Sequence, residues 1–235
     1  MKHLRSVALI AGLTLLSSTA LADQDETTHH TRSAALSVSS AASFPEIRQS
    51  DLVEKVLFKR RKLRKEAVCG DLDIQGEEVG AVAGKLHGCG AQNAVRVRSV
   101  AGVTLSQPSV MTCETASALS QWVQKGVQPA FGKRVVGLRV AAHYSCRTRN
   151  KRPGAKISEH GRAKAIDISG FELKNGDLVT VLQGWKARGT RKQLQKVWKA
   201  ACGPFGTVLG PKADRYHQDH FHLDTARHRG GAYCR

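Results

Sequence analysis

Ten histidines are spread along this 235-residue chain, and three of them crowd into six positions. They are His217, His220 and His222, in the run Tyr216-His217-Gln218-Asp219-His220-Phe221-His222-Leu223-Asp224. On a strand, side chains alternate between faces, so His220 and His222 would point the same way. Two imidazoles converging on one face are what a metal ion and its bound water require. A second cluster lies upstream, Ser158-Glu159-His160 followed by Ala165-Ile166-Asp167-Ile168. Asp167 opens an apolar strand, where a carboxylate needs either a partner or a function. One His or Asp alone is usually a hydrogen-bonded residue and nothing more. The joint pattern, H-x6-D followed by H-x-x-H-x-H, is much harder to obtain by accident. His and Asp donors with one open position suit a catalytic zinc, whereas a structural site closes all four positions. Other divalent metals that prefer nitrogen and oxygen stay open at this point. H-E-x-x-H is absent, which excludes the helical zincin arrangement.

The elements that must position these residues are legible in outline. Ala94–Val100 alternates as a strand does, and Gln107-Pro108 is expected to end the segment after it. Residues 113–125 read as a helix, with Ala116, Leu119 and Val123 at three- and four-residue steps. Val135–Ala142 reads as a strand with Val136, Leu138 and Val140 on one face. Asp167–Leu173 and Leu178–Leu182 flank Asn175-Gly176, a strong hairpin signal. Thr190 stands where it would cap a helix carrying Leu194, Val197, Trp198 and Ala201, stopped by Gly203-Pro204. Phe205–Leu209 and His220–Asp224 read as the last strands. Helices and antiparallel strands in mixed order imply an α+β fold: a small, mainly antiparallel sheet flanked by helices, in a single disulfide-bonded domain over 67–235.

Ahead of that domain the composition changes three times. Lys2 and Arg5, the apolar run Val7–Leu16 and the Ala20-Leu21-Ala22 ending read as a signal peptide, 1–22, which implies export to the periplasm. Residues 23–50, rich in Ser, Thr, Ala and His, read as a disordered tail. Residues 51–66 place Leu52, Val53, Val56, Leu57 and Leu63 among seven Lys and Arg, which reads as a basic amphipathic linker able to touch an anionic envelope surface. A linker with no specific partner reads equally well. No later stretch is apolar enough to span a bilayer.

All six cysteines lie beyond residue 22, at 69, 89, 113, 146, 202 and 234, with no C-x-x-C among them. In an exported chain that reads as three disulfides rather than a thiolate metal site. Neighbour pairing, Cys69–Cys89, Cys113–Cys146 and Cys202–Cys234, is the expectation. The whole chain carries 37 Lys+Arg against 19 Asp+Glu, a net +18. Such a charge favours polyanionic surroundings, and for an exported protein the wall or envelope is the accessible one.

At the histidine and aspartate clusters the sequence resembles the zinc peptidases that include D-alanyl-D-alanine carboxypeptidases and penicillin-insensitive murein endopeptidases. Their S-x-H-x6-D and H-x-H motifs correspond to Ser158, His160, Asp167, His220 and His222. From about Cys69 to Asp224 it looks more closely like the bacterial extensin-like C-terminal domain family. That likeness is carried by Tyr144-Ser145-Cys146-Arg147-Thr148-Arg149-Asn150, Ser158-Glu159-His160, Ala165-Ile166-Asp167-Ile168, Val208-Leu209-Gly210-Pro211 and the His217–Asp224 run. The resemblance implies zinc held by His160, Asp167 and His222, with His220 as general base and His217 beside it. His217 and Arg147 would then hold a developing oxyanion, and Asp219 and Asp224 would orient imidazoles from behind. One position departs from the family pattern: its usual Gly, three residues after the first His, is Ala163 here, which implies a rearranged loop between His160 and Asp167.

Taken together, the expected activity is hydrolysis of peptide bonds in peptidoglycan, in cross-links or stem peptides, with wall peptide as partner and no nucleic acid. Two alternatives stand beside it. One is a wall-binding module that keeps the zinc without turnover, favoured by Ala163. The other is an exported basic protein that binds nucleic acid or anionic lipid, which leaves the histidine cluster unexplained.

Overall fold

The computed structural model describes residues 49–235, so the expected signal peptide, 1–22, and nearly all of the expected tail, 23–50, lie outside the described residues. Helix α1 runs Gln49–Glu66, covering the expected basic segment. Strands β1 (Ala67–Val68), β2 (Asp71–Ala83), β3 (Gly90–Val100) and β4 (Val103–Thr112) follow as an antiparallel meander. Helix α2 (Cys113–Trp122), a π turn at Val123–Val127 and the short α3 (Gln128–Ala130) then carry the chain across to β5 (Val135–Ala142). That crossover is needed because β5 pairs with β4 in parallel, which no tight turn can achieve. Strand β6 (Ala165–Leu173) returns antiparallel and turns through Asn175-Gly176 into β7 (Leu178–Thr180). After α4 (Val181–Gly184) and α5 (Arg191–Ala201) come β8 (Thr207–Leu209), β9 (Phe221–Asp224) and β10 (Tyr233–Cys234).

Among the described residues the ten strands form one sheet in the order β1-β2-β3-β4-β5-β6-β9-β8-β10, with β7 on β6. All pairs are antiparallel except β4–β5 and β8–β10. This is the expected α+β arrangement, mainly antiparallel, disulfide-bonded and a single compact unit. No helix of the described residues is long and apolar enough to cross a membrane.

The core explains how the helices are held. Trp122, on the inner face of α2, packs edge-on against Phe171 of β6 and against Phe205. Its indole N–H donates to the Val197 carbonyl at 2.9 Å, which ties α2 to α5. Thr112 caps α2 by accepting the Thr115 N–H. Thr190 precedes α5 but does not cap it; its hydroxyl donates to the Gly184 carbonyl instead.

Three local expectations are corrected. Gln107-Pro108 does not end a strand but lies inside β4, where the six residues 104–109 of β4 oppose the three residues 97–99 of β3, from the pair Val97↔Ser109 to the pair Ser99↔Thr104. β5 pairs with β4 only at Thr104 and Leu105, so no ladder bond is lost to the proline. On β5, Val136 is exposed while Leu138 and Val140 are buried, because bulges against β6 break the alternation. The segment 178–182 is strand only to Thr180, whose side chain caps α4.

The disulfides are Cys69–Cys113, Cys89–Cys146 and Cys202–Cys234, so only the last of the expected pairs is found. Cys69 and Cys89 stand beyond opposite ends of the thirteen-residue β2, out of range of each other. Cys113 opens α2 and meets Cys69. Cys146, past the end of β5, meets Cys89 in the β2–β3 turn.

Candidate metal centre

Strands β6 and β9 lie side by side in the middle of the sheet, and their register sets Asp167 directly opposite His222. The pairing brings together two residues that are 55 apart in sequence. His222 donates from Nδ1 to Asp167 Oδ1 at 2.9 Å and from Nε2 to Asp224 Oδ2 at 2.9 Å. Asp224 is two residues on, so it shares the face of His222.

His160 arrives from a different element, the 3-10 turn Glu159–Arg162 just before β6. Its Nδ1 donates to the His143 carbonyl at 2.8 Å, at the end of β5. That bond fixes the ring so that Nε2 faces inward, 3.1 Å from Asp167 Oδ2 and 3.2 Å from His222 Nδ1. Two features let the turn sit so close to the sheet. Gly161 has no room for a side chain: a Cβ would lie 2.9 Å from Ile157 Cγ2 and 3.0 Å from the Cys89 sulfur. Ala163 closes the turn in the left-handed region, at φ 57° and ψ 24°. A glycine takes that conformation freely, whereas an alanine pays roughly 1–2 kcal/mol. The turn nevertheless closes, with the Ala163 N–H on the His160 carbonyl and its own carbonyl accepting from Thr112.

The donor atoms of His160, Asp167 and His222 all lie within 4.8 Å of one another, a grouping that can hold a metal ion. Two imidazole nitrogens and a carboxylate oxygen suit a divalent metal of nitrogen and oxygen preference. The far nitrogen of each imidazole is held by an oxygen acceptor, the support that metal-ligating histidines ordinarily have. All three residues are buried.

Electrostatics of the metal-free cluster follow from this contact pattern. Burial alone would lower the pKa of His222, but its bonds to Asp167 and Asp224 outweigh that and push it up to about 9. Burial would raise Asp167, yet the hydrogen bonds from His160 and His222 hold it far below the usual carboxylate range. Asp224 is likewise lowered against its burial by His222.

His217, His220, Arg147 and Asp224 line one cleft of about 740 Å³ with the three above, and Asp219 stands outside its lining. His220 precedes β9, with Nε2 3.7 Å from Asp167 Oδ2 and Nδ1 donating to Asp219 at 2.7 Å. His217 donates from Nδ1 to Asp214 at 2.7 Å and stacks at a tilt on His220, ring centroids 5.2 Å apart. Burial keeps its pKa low despite Asp214. Arg147 reaches the cleft half-buried. Asp219 and Asp224 therefore stand behind imidazoles, as expected. Asp214 was not anticipated, although the D-x-x-H spacing to His217 could have flagged it. The carbonyl of His143 leaves no side-chain signature to find.

Neither a search of curated proteins nor one of solved structures returns a match to this chain. The family described as extensin-like protein C-terminus matches residues 70–235, which takes in every strand from β2 onward and the whole cleft. The chain belongs to the extensin-like protein C-terminus family.

Proposed function

We propose that this protein is an exported, periplasmic zinc peptidase that hydrolyses peptide bonds in peptidoglycan, with zinc held by His160 Nε2, the Asp167 carboxylate and His222 Nδ1. One observation carries the reading: three buried donors converge at the floor of a cleft while two further imidazoles, each backed by a carboxylate, stand beside them. A structural site would need no such neighbours. Zinc in this setting supplies a Lewis acid and a bound water of lowered pKa.

The residues of the chain supply the rest. Asp219 accepts the Nδ1–H of His220, which in the neutral ring makes Nε2, turned toward the cluster, the accepting nitrogen. That nitrogen takes a proton from the attacking water and returns it to the leaving amine. The guanidinium of Arg147 donates to the oxygen on which negative charge develops, and His217, with its Nδ1–H on Asp214, joins it as a donor only when its Nε2 is protonated as well. Asp224 and the His143 carbonyl keep the two ligating rings in one tautomer and orientation. With Ala163 closing the turn, His160 still holds its bond to the His143 carbonyl and keeps Nε2 turned to Asp167 and His222.

The test is digestion of purified wall sacculi by the zinc-loaded protein, with products identified by mass spectrometry. New amine ends are expected and would identify the bond that is cut. Intact sacculi after prolonged digestion would sink the peptidase reading.

A further inference from the structure

One wall of the cleft carries more charge than the chemistry above uses, since only Arg147 of its basic residues has a role there. Residues 147–157 form a hairpin, closed by a bridge between Thr148 and Ile157 and by the Arg149 N–H on the Lys156 carbonyl. It contains Arg147, Arg149, Lys151, Arg152 and Lys156 and no acidic residue. The hairpin is anchored at both sides of the cleft mouth. Ser158 N–H donates to the Arg147 carbonyl on one side, and Arg152 reaches the Tyr216 hydroxyl at 3.4 Å on the other, next to His217.

The carboxylates of the cleft are already committed. Asp167 and Asp224 face imidazoles, Asp214 faces His217, and Glu159 faces Arg149 at 3.6 Å and Arg162 at 3.1 Å. Among the described residues no acidic group lies within 4.0 Å of the Lys151 ammonium, although that residue lines the cleft. Its backbone position is unusual as well. Asn150 and Lys151 are successive non-glycine residues in the left-handed region, at φ 54° and 55°. Backbone of that kind costs energy and clusters at binding sites, and here two such residues in succession sit at the cleft wall.

We infer that this hairpin is the receptor for a carboxylate of the substrate peptide, with Lys151 as the positioning and specificity residue. The inference rests on the cleft binding a wall peptide, and it names which peptides: those with a free carboxylate near the bond that breaks. An ammonium facing a cleft whose own acids are paired gains most from a ligand that brings the missing charge. Arg149 is half committed to Glu159 and adds to the field without being free to move onto the ligand.

The experiment uses a synthetic wall tetrapeptide with free carboxylates and the same peptide with each carboxylate converted to carboxamide. Binding to the zinc-loaded full chain is measured by calorimetry at low and at physiological salt. The acid form should bind about tenfold more tightly, the scale of one charge-assisted hydrogen bond. Lys151→Gln should abolish that preference while leaving the affinity for the carboxamide unchanged. Lys151→Arg should restore it, and Lys156→Gln, on the same hairpin but off the cleft, should not alter it. Equal binding of the two peptides by the unaltered protein would overturn the inference, as would a preference that survives Lys151→Gln. Equal loss in Lys156→Gln would also overturn it, since the effect would then be the general field of a basic protein. Binding is read without turnover, so a protein that discriminates the peptides but leaves sacculi intact would refute the peptidase reading and keep this one.

Discussion

Helix α1 and the strand pair β6–β9 both concentrate ionisable side chains, and they treat them in opposite ways. α1 carries ten charged residues among eighteen, and none of its residues is buried. Leu52, Val53, Val56, Leu57 and Phe58 are exposed on the same helix. One ion pair, Glu66 with Arg98 at 3.6 Å, connects these charges to the sheet. Where β6 pairs with β9, over 165–168 and 221–224, the charged or titratable side chains are Asp167, His222 and Asp224, yet each is buried and each faces another within 2.9 Å. A charge in water is stabilised by solvent and fixes nothing. A charge under the sheet must be met by a partner of fixed geometry, and that requirement is what makes a position chemically useful.

Substitutions sharpen the contrast, beginning with the largest effect. Asp167→Ala removes the residue that both imidazoles share. Zinc content should fall from about one per chain, the stoichiometry of a mononuclear site, to near zero, and wall hydrolysis should vanish with it. Full zinc by atomic absorption in Asp167→Ala, His160→Ala and His222→Ala alike would break the ligand assignment.

Next in size is His220→Ala, which keeps the three donors. It should retain the metal and lose at least about a hundredfold in rate, the usual worth of a general base. Loss of zinc from this variant, with retention in His222→Ala, would exchange the two roles.

The third effect is electrostatic. In the metal-free protein His222 is raised above its unfolded value of about 6.5, so its contribution to stability is complete below that pH. That contribution is lost as pH rises through about 9. The melting temperature of the metal-free protein should therefore decline across that window. Asp224→Asn should flatten the decline, because one of the two carboxylates that raise His222 is gone. Zinc uptake at pH 7 should release about one proton, since Nδ1 must give up its hydrogen to bind; calorimetry in buffers of different ionisation heat would read it. A melting temperature that rises toward pH 9 would contradict the contact pattern.

The smallest effect belongs to α1. Replacing Arg60, Arg61 and Lys62 together by Gln should change folding stability by no more than about 0.5 kcal/mol and leave zinc content alone. A loss of several kcal/mol in denaturant unfolding would mean that the helix is held by its charges after all.

Sequence reasoning succeeded where chemistry and periodicity coincide. His160, Asp167, His220 and His222 stand out in the sequence because few residue types recur at such spacing, and the β6–β9 register sets Asp167 opposite His222, while His160 comes in on a 3-10 turn and His220 precedes β9. It failed where a contact leaves no mark on residue type. The interleaved pairs Cys69–Cys113 and Cys89–Cys146 depend on where the meander turns, which spacing between cysteines does not encode. Pro108 inside β4 and exposed Val136 on β5 both reflect bulges, where one strand gains residues over its neighbour and the alternation rule stops applying. Ala163 was read as a departure in side chain; its left-handed backbone, the physical reason a glycine fits there, is visible only in three dimensions.

The interleaving of those cross-links has a consequence for survival among proteases. A single cut anywhere between residues 69 and 146 leaves both pieces joined, because one bridge or the other always spans it. The same holds between residues 202 and 234. From 147 to 201 no disulfide among the described residues spans a cut, and this stretch holds both His160 and Asp167. A nick there would be resisted by the β6–β9 ladder, and a metal shared between Asp167 and His222 would tie the two fragments together. For cuts beyond residue 69, limited digestion should thus release fragments on a non-reducing gel only from that one window, whereas a cut in or before α1 simply trims the N-terminal segment.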